Sequence, residues 1–396
     1  MSDLKDNLHT EHLVLNMGPS HPATHGTVKF LLTLDGETVV DCQVEVGYLH
    51  RGFEKMCESV SWTNVFPYTD RLNYCSAIMN NIGYALAVEK LCGIEITERC
   101  SYIRVVTNEL MRIADHYTNI AAAALELGAL TAFIYFVEAR EILWDILEKI
   151  CGARLTSNYI RVGGLMCDIP EDLDDDLQAA YPKLDALFED VDKLLTKNRI
   201  FLDRMCNTGI LPKEDAISFG FTGPCLRACG VDYDVRKAHP YLVYDRMDFD
   251  IPLGRTGDNF DRYLVRMEEI KQSYKIVKQA MKEMPEGPIN VDHPYLRQPS
   301  KQDVYTRMEE MIAHFKLMID GLKPPVGEVY MPTEAANGEL GFYIVSDGSG
   351  HPYKCRVRPP CFTMTAAVEE IVRGQMLADI IPTFDMINMI GGECDR

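Results

Sequence analysis

Residues 97–150 read TERCSYIRVVTNELMRIADHYTNIAAAALELGALTAFIYFVEAREILWDILEKI, and this stretch decides the fold class. Apolar residues recur at helical spacing on both sides of Gly128. The pattern predicts one long helix over Thr97–Leu127 and another over Thr131–Ile150, with Gly152 just past its end. Ile120–Val137 alone is about as long as a short transmembrane helix. Glu126 sits inside it, however, Gly128 follows, and Asp115, Glu138 and Arg140 flank it. It is therefore read as two segments of a protein core. A carboxylate in an apolar stretch is costly unless it is paired or functional, which singles out Glu126.

Working outward, a helix is expected over Tyr68–Leu91, stopping at Gly93, and another within Asp172–Lys197. The latter opens on acidic residues and closes on Lys193 and Lys197, as a helix dipole favours. A fifth is expected from about Arg262 to Met284. Long helices joined by short loops argue for an antiparallel bundle. The ends read differently. Thr27–Leu34 and Glu37–Val46 flank Asp35-Gly36, a hairpin turn signal, and a short helix should follow over Phe53–Val60. Residues 285–301 read as a surface excursion, with a helix over Val304–Met318 after it. Gly341–Ser346 and Tyr353–Val357 flank a second turn at residues 347–350, and a helix near Met364–Val372 precedes the terminal segment. The expected architecture is mainly α with α+β ends around a central antiparallel helical bundle. Its expected parts are an N-terminal α+β part over 1–62, a bundle core over 63–285 and a C-terminal α+β part over 286–396.

Composition narrows the function. The 396 residues carry a net charge of −19, which opposes nucleic-acid binding and adhesion to anionic lipid. The polar N-terminus lacks an apolar signal core, so the thirteen cysteines are expected as reduced thiols in a cytosolic compartment. None is in CxxC spacing, and the nearest pair is Cys225 and Cys229. That weighs against a zinc ribbon, a thioredoxin-type pair or a self-contained Fe–S site, and no metal is expected on this chain. Glycine-rich nucleotide motifs, HExxH and GxSxG are all missing.

Two loops carry the remaining chemistry. In Gly18-Pro-Ser-His-Pro-Ala-Thr-His-Gly26, glycine and proline forbid a helix, so His21 and His25 sit on a constrained loop. Histidine suits proton donation near neutral pH, although composition alone favours a pair of surface or structural histidines. In Asp70-Arg-Leu-Asn-Tyr74, Arg71 and Tyr74 would share one face of the first long helix. The tyrosine O–H on an apolar ring suits a quinone or carbonyl oxygen, but read alone the segment favours core packing with a cap hydrogen bond.

These blocks, with GYLHRGFEK (47–55), NYIRVGG (158–164), GPCLRACGVDYDVRKAHPY (223–241), PTEAANGELGFYIVSDG (332–348) and the final GECDR, resemble one family. It is the hydrogenase-like, D-type quinone-site subunit of respiratory complex I, and the resemblance covers nearly the whole chain. That family is related to the large subunit of nickel–iron hydrogenases, which hold metal with two CxxC pairs. Here the first region reads GYLHRGF and the second leaves Cys394 alone, too few thiolates for a nickel–iron centre. The resemblance thus implies a hydrogenase-like fold whose former metal cavity receives a quinone.

By that resemblance, His25 and Tyr74 hydrogen-bond the quinone oxygens, His21 lies on the same loop, and Glu126 stands where the family has aspartate and orients His25. Ala132 replaces the proline of the same segment. Arg51 and Arg71 match arginines near the terminal Fe–S cluster of a partner subunit, where fixed positive charge stabilises the reduced form; surface ion pairs are the alternative. Thr156 replaces a histidine that couples that cluster's potential to protonation, so a lower and nearly pH-independent potential is expected. The implied activity is quinone reduction as part of an NADH- or other donor:quinone oxidoreductase, coupled to ion translocation. The implied partners are a small Fe–S subunit, other hydrophilic-arm subunits and polytopic membrane subunits. The implied place is peripheral, on the cytoplasmic face of the cell membrane, ahead of the mitochondrial matrix side. A membrane-bound hydrogenase large subunit and a non-catalytic scaffold of the same fold are the rival readings.

Overall fold

The computed structural model describes residues 12–24, 27–293, 296 and 298–396. The helical core is built from α1 (Ala77–Cys92), α2 (Glu98–Glu126), α3 (Leu130–Cys151), α4 (Leu173–Leu195) and α5 (Asn259–Glu283). The α2 helix is the hub: α3 and α5 pack along it, and α4 packs on α3. It starts where Thr97 is extended and its hydroxyl accepts from the Cys100 N–H at 3.3 Å. It stops where Gly128 turns left-handed at φ +83° and the Ala129 N–H closes on the Ala124 carbonyl at 2.7 Å. The apolar run Ile120–Val137 is thus two helices of one core. Among the described residues, no helix is long and apolar enough to cross a membrane. The α5 helix is capped by Asp258, whose carboxylate accepts from the Asp261 N–H at 2.8 Å.

The helix expected over Tyr68–Leu91 is shorter. Its first nine residues comprise the second half of a four-residue helix, Phe66–Thr69, then an irregular loop and a 3-10 turn, Tyr74–Ser76. Side chains from the first turn of α1 cause this. The Asn80 amide donates to the Asn73 carbonyl at 2.9 Å, and the Asn81 amide donates to Thr69 Oγ1 at 2.8 Å and Asp70 Oδ1 at 2.7 Å. These bonds fold the segment back on itself instead of letting it continue as helix. Arg71 and Tyr74 therefore do not share a helix face: Arg71 is exposed and Tyr74 is half-buried.

Three small antiparallel sheets accompany the helices. The first pairs β1 (Leu13–Met17), β2 (Lys29–Asp35) and β3 (Thr38–Glu45) in that order, so the expected hairpin gains an edge strand. The second is the short hairpin β4 (Ile160–Arg161) and β5 (Gly164–Leu165). The third is β6 (Gly327–Ala335), β7 (Gly338–Ser346) and β8 (Lys354–Arg358), of which β6 was not foreseen. It lies on α1, and Gly83 permits the contact. A Cβ there would stand 3.0 Å from Thr333 Oγ1 and 3.1 Å from the Phe342 ring.

The helix expected over Val304–Met318 is broken at the extended Arg307 into Lys301–Thr306 and α6 (Met308–Ile319), neither of which buries a residue. The chain closes with α7 (Pro360–Ile371) and α8 (Leu377–Ile387), the latter not foreseen. Both share a second apolar core with the N-terminal sheet, where Phe30 meets Phe384 edge-on at 5.1 Å between centroids. Observed and expected architecture agree on a helical protein with small antiparallel sheets towards its ends.

Candidate functional site

Chain beginning and chain end meet beside the Asp70–Ser76 loop. Asp395 accepts from the Gly47 and Leu49 N–H groups, each at 2.8 Å, and so ties GYLHRGF to the C-terminus. Gly392 lies against the loop backbone; a Cβ there would be 2.4 Å from the Arg71 carbonyl oxygen. Glycine is needed for that approach.

Behind the loop is a cavity of about 150 Å³, with Tyr74 and Cys75 on one element, Asp115, Thr118, Asn119 and Ala122 on α2, and Phe384, Asp385 and Asn388 at the end of α8. Asp115 organises it. Its Oδ2 accepts from the Asn73 amide at 2.9 Å and its Oδ1 from the Asn388 amide at 3.0 Å. Asn73 in turn caps the turn that carries Tyr74 by accepting from the Cys75 N–H at 3.1 Å. On the other side, Asn388 is held by Asn337, whose amide also reaches Cys361, and Cys361 meets Glu393 at 3.3 Å. Burial pushes the Tyr74 hydroxyl up to about 12, the Cys75 thiol upward and Glu393 up to about 7. Tyr74 therefore stays a neutral O–H donor at the cavity wall.

Deeper in the bundle lies a buried ionic cluster. Arg227 bonds Glu269 at 2.6 Å and Glu334 at 2.8 Å, Arg236 bonds Asp234 at 2.7 Å, and Glu109 sits between Arg112 at 3.2 Å and Arg236 at 3.3 Å. His116 Nε2 meets Glu269 at 2.8 Å. Burial lowers His116, while Arg227 and His116 hold Glu269 down to about 2. Burial and the Asp234 charge raise Glu334.

Among the sequence candidates, Tyr74 lines the cavity. Glu126 ends α2 half-buried, near enough to Asp385 for its charge to act on it. His25 lies outside the described residues. His21 is exposed, and its Nδ1 accepts from the Ala23 N–H at 3.2 Å, a local turn contact away from the cavity lining. Arg51 and Arg71 come together at the surface, Arg51 donating to the Arg71 carbonyl at 3.2 Å. Thr156 is half-buried on the loop before β4. That loop meets the same corner, because the Asn158 backbone and the Arg161 charge act on the Asp70 carboxyl. Burial raises Asp70 to about 6 against the pull of Asn81, Asn158, Arg71 and Arg161. Sequence reasoning missed Asp115, Asn73, Asn388 and Asp385. Among the described residues, no three His, Cys, Asp or Glu side chains group as metal ligands.

Comparison with known proteins gives the family. Residues 126–396 match the family described as "Respiratory-chain NADH dehydrogenase, 49 Kd subunit". The chain is 56% identical over 387 residues to a D-type NADH-quinone oxidoreductase subunit of Anaeromyxobacter sp. (strain K), covering 98% of this chain and 90% of the relative. It is 55% identical over 398 residues to the D-type NADH-quinone oxidoreductase subunit of Myxococcus xanthus, covering 100% and 95%. Against the C/D-type NADH-quinone oxidoreductase subunit of Bdellovibrio bacteriovorus it is 50% identical over 391 residues, covering 99% of this chain and 70% of that one. A cavity between the Tyr74 turn, α2 and the C-terminal segment, a matching family over most of the chain's length and relatives this similar lead to one conclusion: the chain belongs to the family of the 49 Kd subunit of respiratory-chain NADH dehydrogenase.

Proposed function

We propose that this chain forms the quinone-reduction site of a complex I-type NADH- or other donor:quinone oxidoreductase. The observation that carries the reading is the cavity of about 150 Å³ with Tyr74 on its wall. An apolar cavity of about that size holds a benzene ring, so one quinone ring is of the right scale. His25 donates a proton to one quinone oxygen, Tyr74 hydrogen-bonds the other, and Glu126 orients His25. Donors aimed at oxygens that become negative stabilise the developing anion. Arg51, Arg71 and Thr156 form the corner that faces the terminal Fe–S cluster of a small partner subunit, which supplies the electrons; His21 holds the quinone loop. The fold is that of a nickel–iron hydrogenase large subunit from which the thiolate pairs are gone.

The partners are that Fe–S subunit, a C-type subunit of the kind fused to the D-type one in the Bdellovibrio relative, and polytopic membrane subunits that translocate ions. The chain sits peripherally on the cytoplasmic face of the membrane. The test is Tyr74→Phe in the assembled complex. Quinone reduction should fall on the order of a hundredfold, while transfer to an artificial acceptor that bypasses the quinone stays unchanged. A fully assembled variant at the wild-type quinone reductase rate refutes the assignment and favours the scaffold reading.

A further inference from the structure

The α6 helix turns its apolar side outward. Met308, Met311, Ile312, Phe315, Met318 and Ile319 recur at helical spacing on one side, and each is 43–66% exposed. The side turned to the protein carries Glu310, Ala313, His314 and Leu317, all half-buried. A surface helix normally has the reverse order, its apolar stripe on the core and its polar side in water. A concavity of about 430 Å³ runs along the apolar ridge, walled only by residues of α6 and by Asp320 just after it. Among the described residues its opposite wall is missing. A contiguous apolar patch on the order of several hundred Å² marks a contact surface.

Lipid fits this ridge poorly. A helix lying in a membrane surface carries Lys and Arg on its polar side. Here Glu309, Glu310 and Asp320 outnumber Lys316, in a chain of net charge −19. A protein groove fits it well, because apolar anchors at three-, four- and seven-residue spacing are how a helix is held in one.

The attachments of α6 say which protein. Before it, the Val291 N–H donates to the Gly163 carbonyl at 2.9 Å, and the Asn290 side-chain oxygen accepts from the Leu165 N–H at 2.8 Å. These bonds pin the chain to the β4–β5 hairpin, which follows the Thr156 loop. After it, a Cβ at Gly321 would stand 3.9 Å from the Ser61 Cβ, and a Cβ at Gly350 would stand 2.9 Å from the Asp320 carbonyl oxygen. Ser61 lies just past the short helix Phe53–Ser59 that follows Arg51. The α6 segment thus spans the two elements that flank the corner of Arg51, Arg71 and Thr156. Arg51 and Arg71 are exposed, and such a polar corner lacks the apolar centre of a permanent interface. The ridge supplies it.

We propose that α6 is the apolar anchor of the small Fe–S partner subunit, its ridge seated in a groove of that subunit. The inference rests on the assignment of the Arg51–Arg71–Thr156 corner to the same partner. Ile312 and Phe315 fill the centre of the contact. Met308, Met311 and Met318 adapt to its edges through their flexible thioethers, and Glu309 and Lys316 stand at its rim.

The test places a photoreactive benzophenone side chain at Phe315, and separately at Arg51, in the intact complex, and identifies the captured molecule by mass spectrometry. Both positions should capture the small Fe–S subunit. Capture from Phe315 of lipid, of a second copy of this chain or of a different subunit overturns the inference, as does no capture at all. Arg51 separates the two levels. If Arg51 captures the Fe–S subunit and Phe315 does not, the corner stands and the anchor is wrong. If Phe315 alone captures it, the anchor stands and the corner is misplaced. If neither does, the corner assignment fails and the inference with it. Ile312→Glu with Phe315→Glu changes only exposed side chains, so this chain should still fold. It should lower the Fe–S subunit recovered per copy of this chain on the order of tenfold; wild-type recovery also overturns the anchor.

Discussion

Replacing Asp115 by asparagine should disable quinone reduction without any loss of an assigned proton donor. Asp115 is buried and holds the Asn73 amide at 2.9 Å and the Asn388 amide at 3.0 Å. Hydrogen bonds to a charged group contribute roughly 1.5–3 kcal/mol each. Asparagine keeps one acceptor oxygen and turns its own N–H₂ towards the second amide donor, so one bond is lost and two buried donors face each other. The cost is about 2–4 kcal/mol, by the same scale of lost bond and unsatisfied group. Asn73 is the side that matters for Tyr74, because Asn73 caps the turn that carries it. A displacement of about 1 Å in a positioning group costs on the order of a hundredfold in rate.

The assay is quinone reduction by the purified complex, beside electron transfer to an artificial acceptor and the affinity of a quinone-site inhibitor. Asp115→Asn should lose quinone rate and inhibitor affinity and keep the bypass activity. Asn73→Ala should reproduce most of that loss, and the double variant should be scarcely worse than either single one, because both break one linkage. Wild-type quinone rate and inhibitor affinity in Asp115→Asn would refute the positioning role, and fully additive losses would refute the shared linkage.

Three further outcomes follow from other contacts. Glu89 accepts from Arg104 at 2.6 and 2.9 Å and from the Gly163 N–H at 2.8 Å, joining α1, α2 and the β4–β5 hairpin. Glu89→Gln leaves a buried guanidinium without its counter-charge, so thermal unfolding of the complex should reveal a loss of about 3–5 kcal/mol; an unchanged melting temperature contradicts this. Glu393 is raised by burial from the usual carboxylate value to about 7, so the folded chain binds more protons than the unfolded one. Stability should therefore be greatest below about pH 4.5 as far as this group is concerned, and fall by roughly 3 kcal/mol as pH rises through 7. Glu393→Gln should flatten the melting-temperature slope between about pH 5 and 7, and an identical slope in the variant rejects the assignment. Thr156 cannot titrate near neutrality, but Asp70 on the same corner is raised to about 6. A redox titration of the partner's terminal cluster should be nearly flat above about pH 7 and bend only below it, and Asp70→Asn should remove the bend. A slope near one proton per electron from pH 6 to 8 sinks this reading.

What the sequence revealed and what it hid have separate physical causes. The α2–α3 pair was legible because its signals are local: Thr97 caps three residues ahead and Gly128 and Gly152 break the backbone at the ends. The Tyr74 loop was not, because Asn80 and Asn81 reach back over it with side-chain bonds that apolar periodicity does not register. The α8 helix contains Pro382, which read from the sequence alone argues against a helix interior. β1 flanks a better-marked hairpin, and β6 was missed although Asn337-Gly338, a hairpin turn signal, stands between it and β7. At the site, Tyr74 and Glu126 stood out as chemically odd residues in place. Asp115 did not, since its partners lie 42 and 273 residues away and only the folded chain brings them together.

The charge distribution explains why proton donors have to be local to the cavity. In the deep cluster, Arg112, Arg227 and Arg236 are matched by carboxylates, and burial keeps His116 from charging readily. That region holds its charge fixed and has little to give. The cavity is the opposite case. Among the described residues that line it, none is Lys, Arg or His, and the ionisable ones are Tyr74, Cys75, Asp115 and Asp385. A quinone reduced there would gain negative charge beside acids, with no cation on the described wall to hold it. Two electrons can settle on such a ring only if protons follow at once, because an unpaired anion in a dehydrated site is strongly disfavoured. Asp115 is committed to two asparagines, and Tyr74 and Cys75 are made poorer acids by burial.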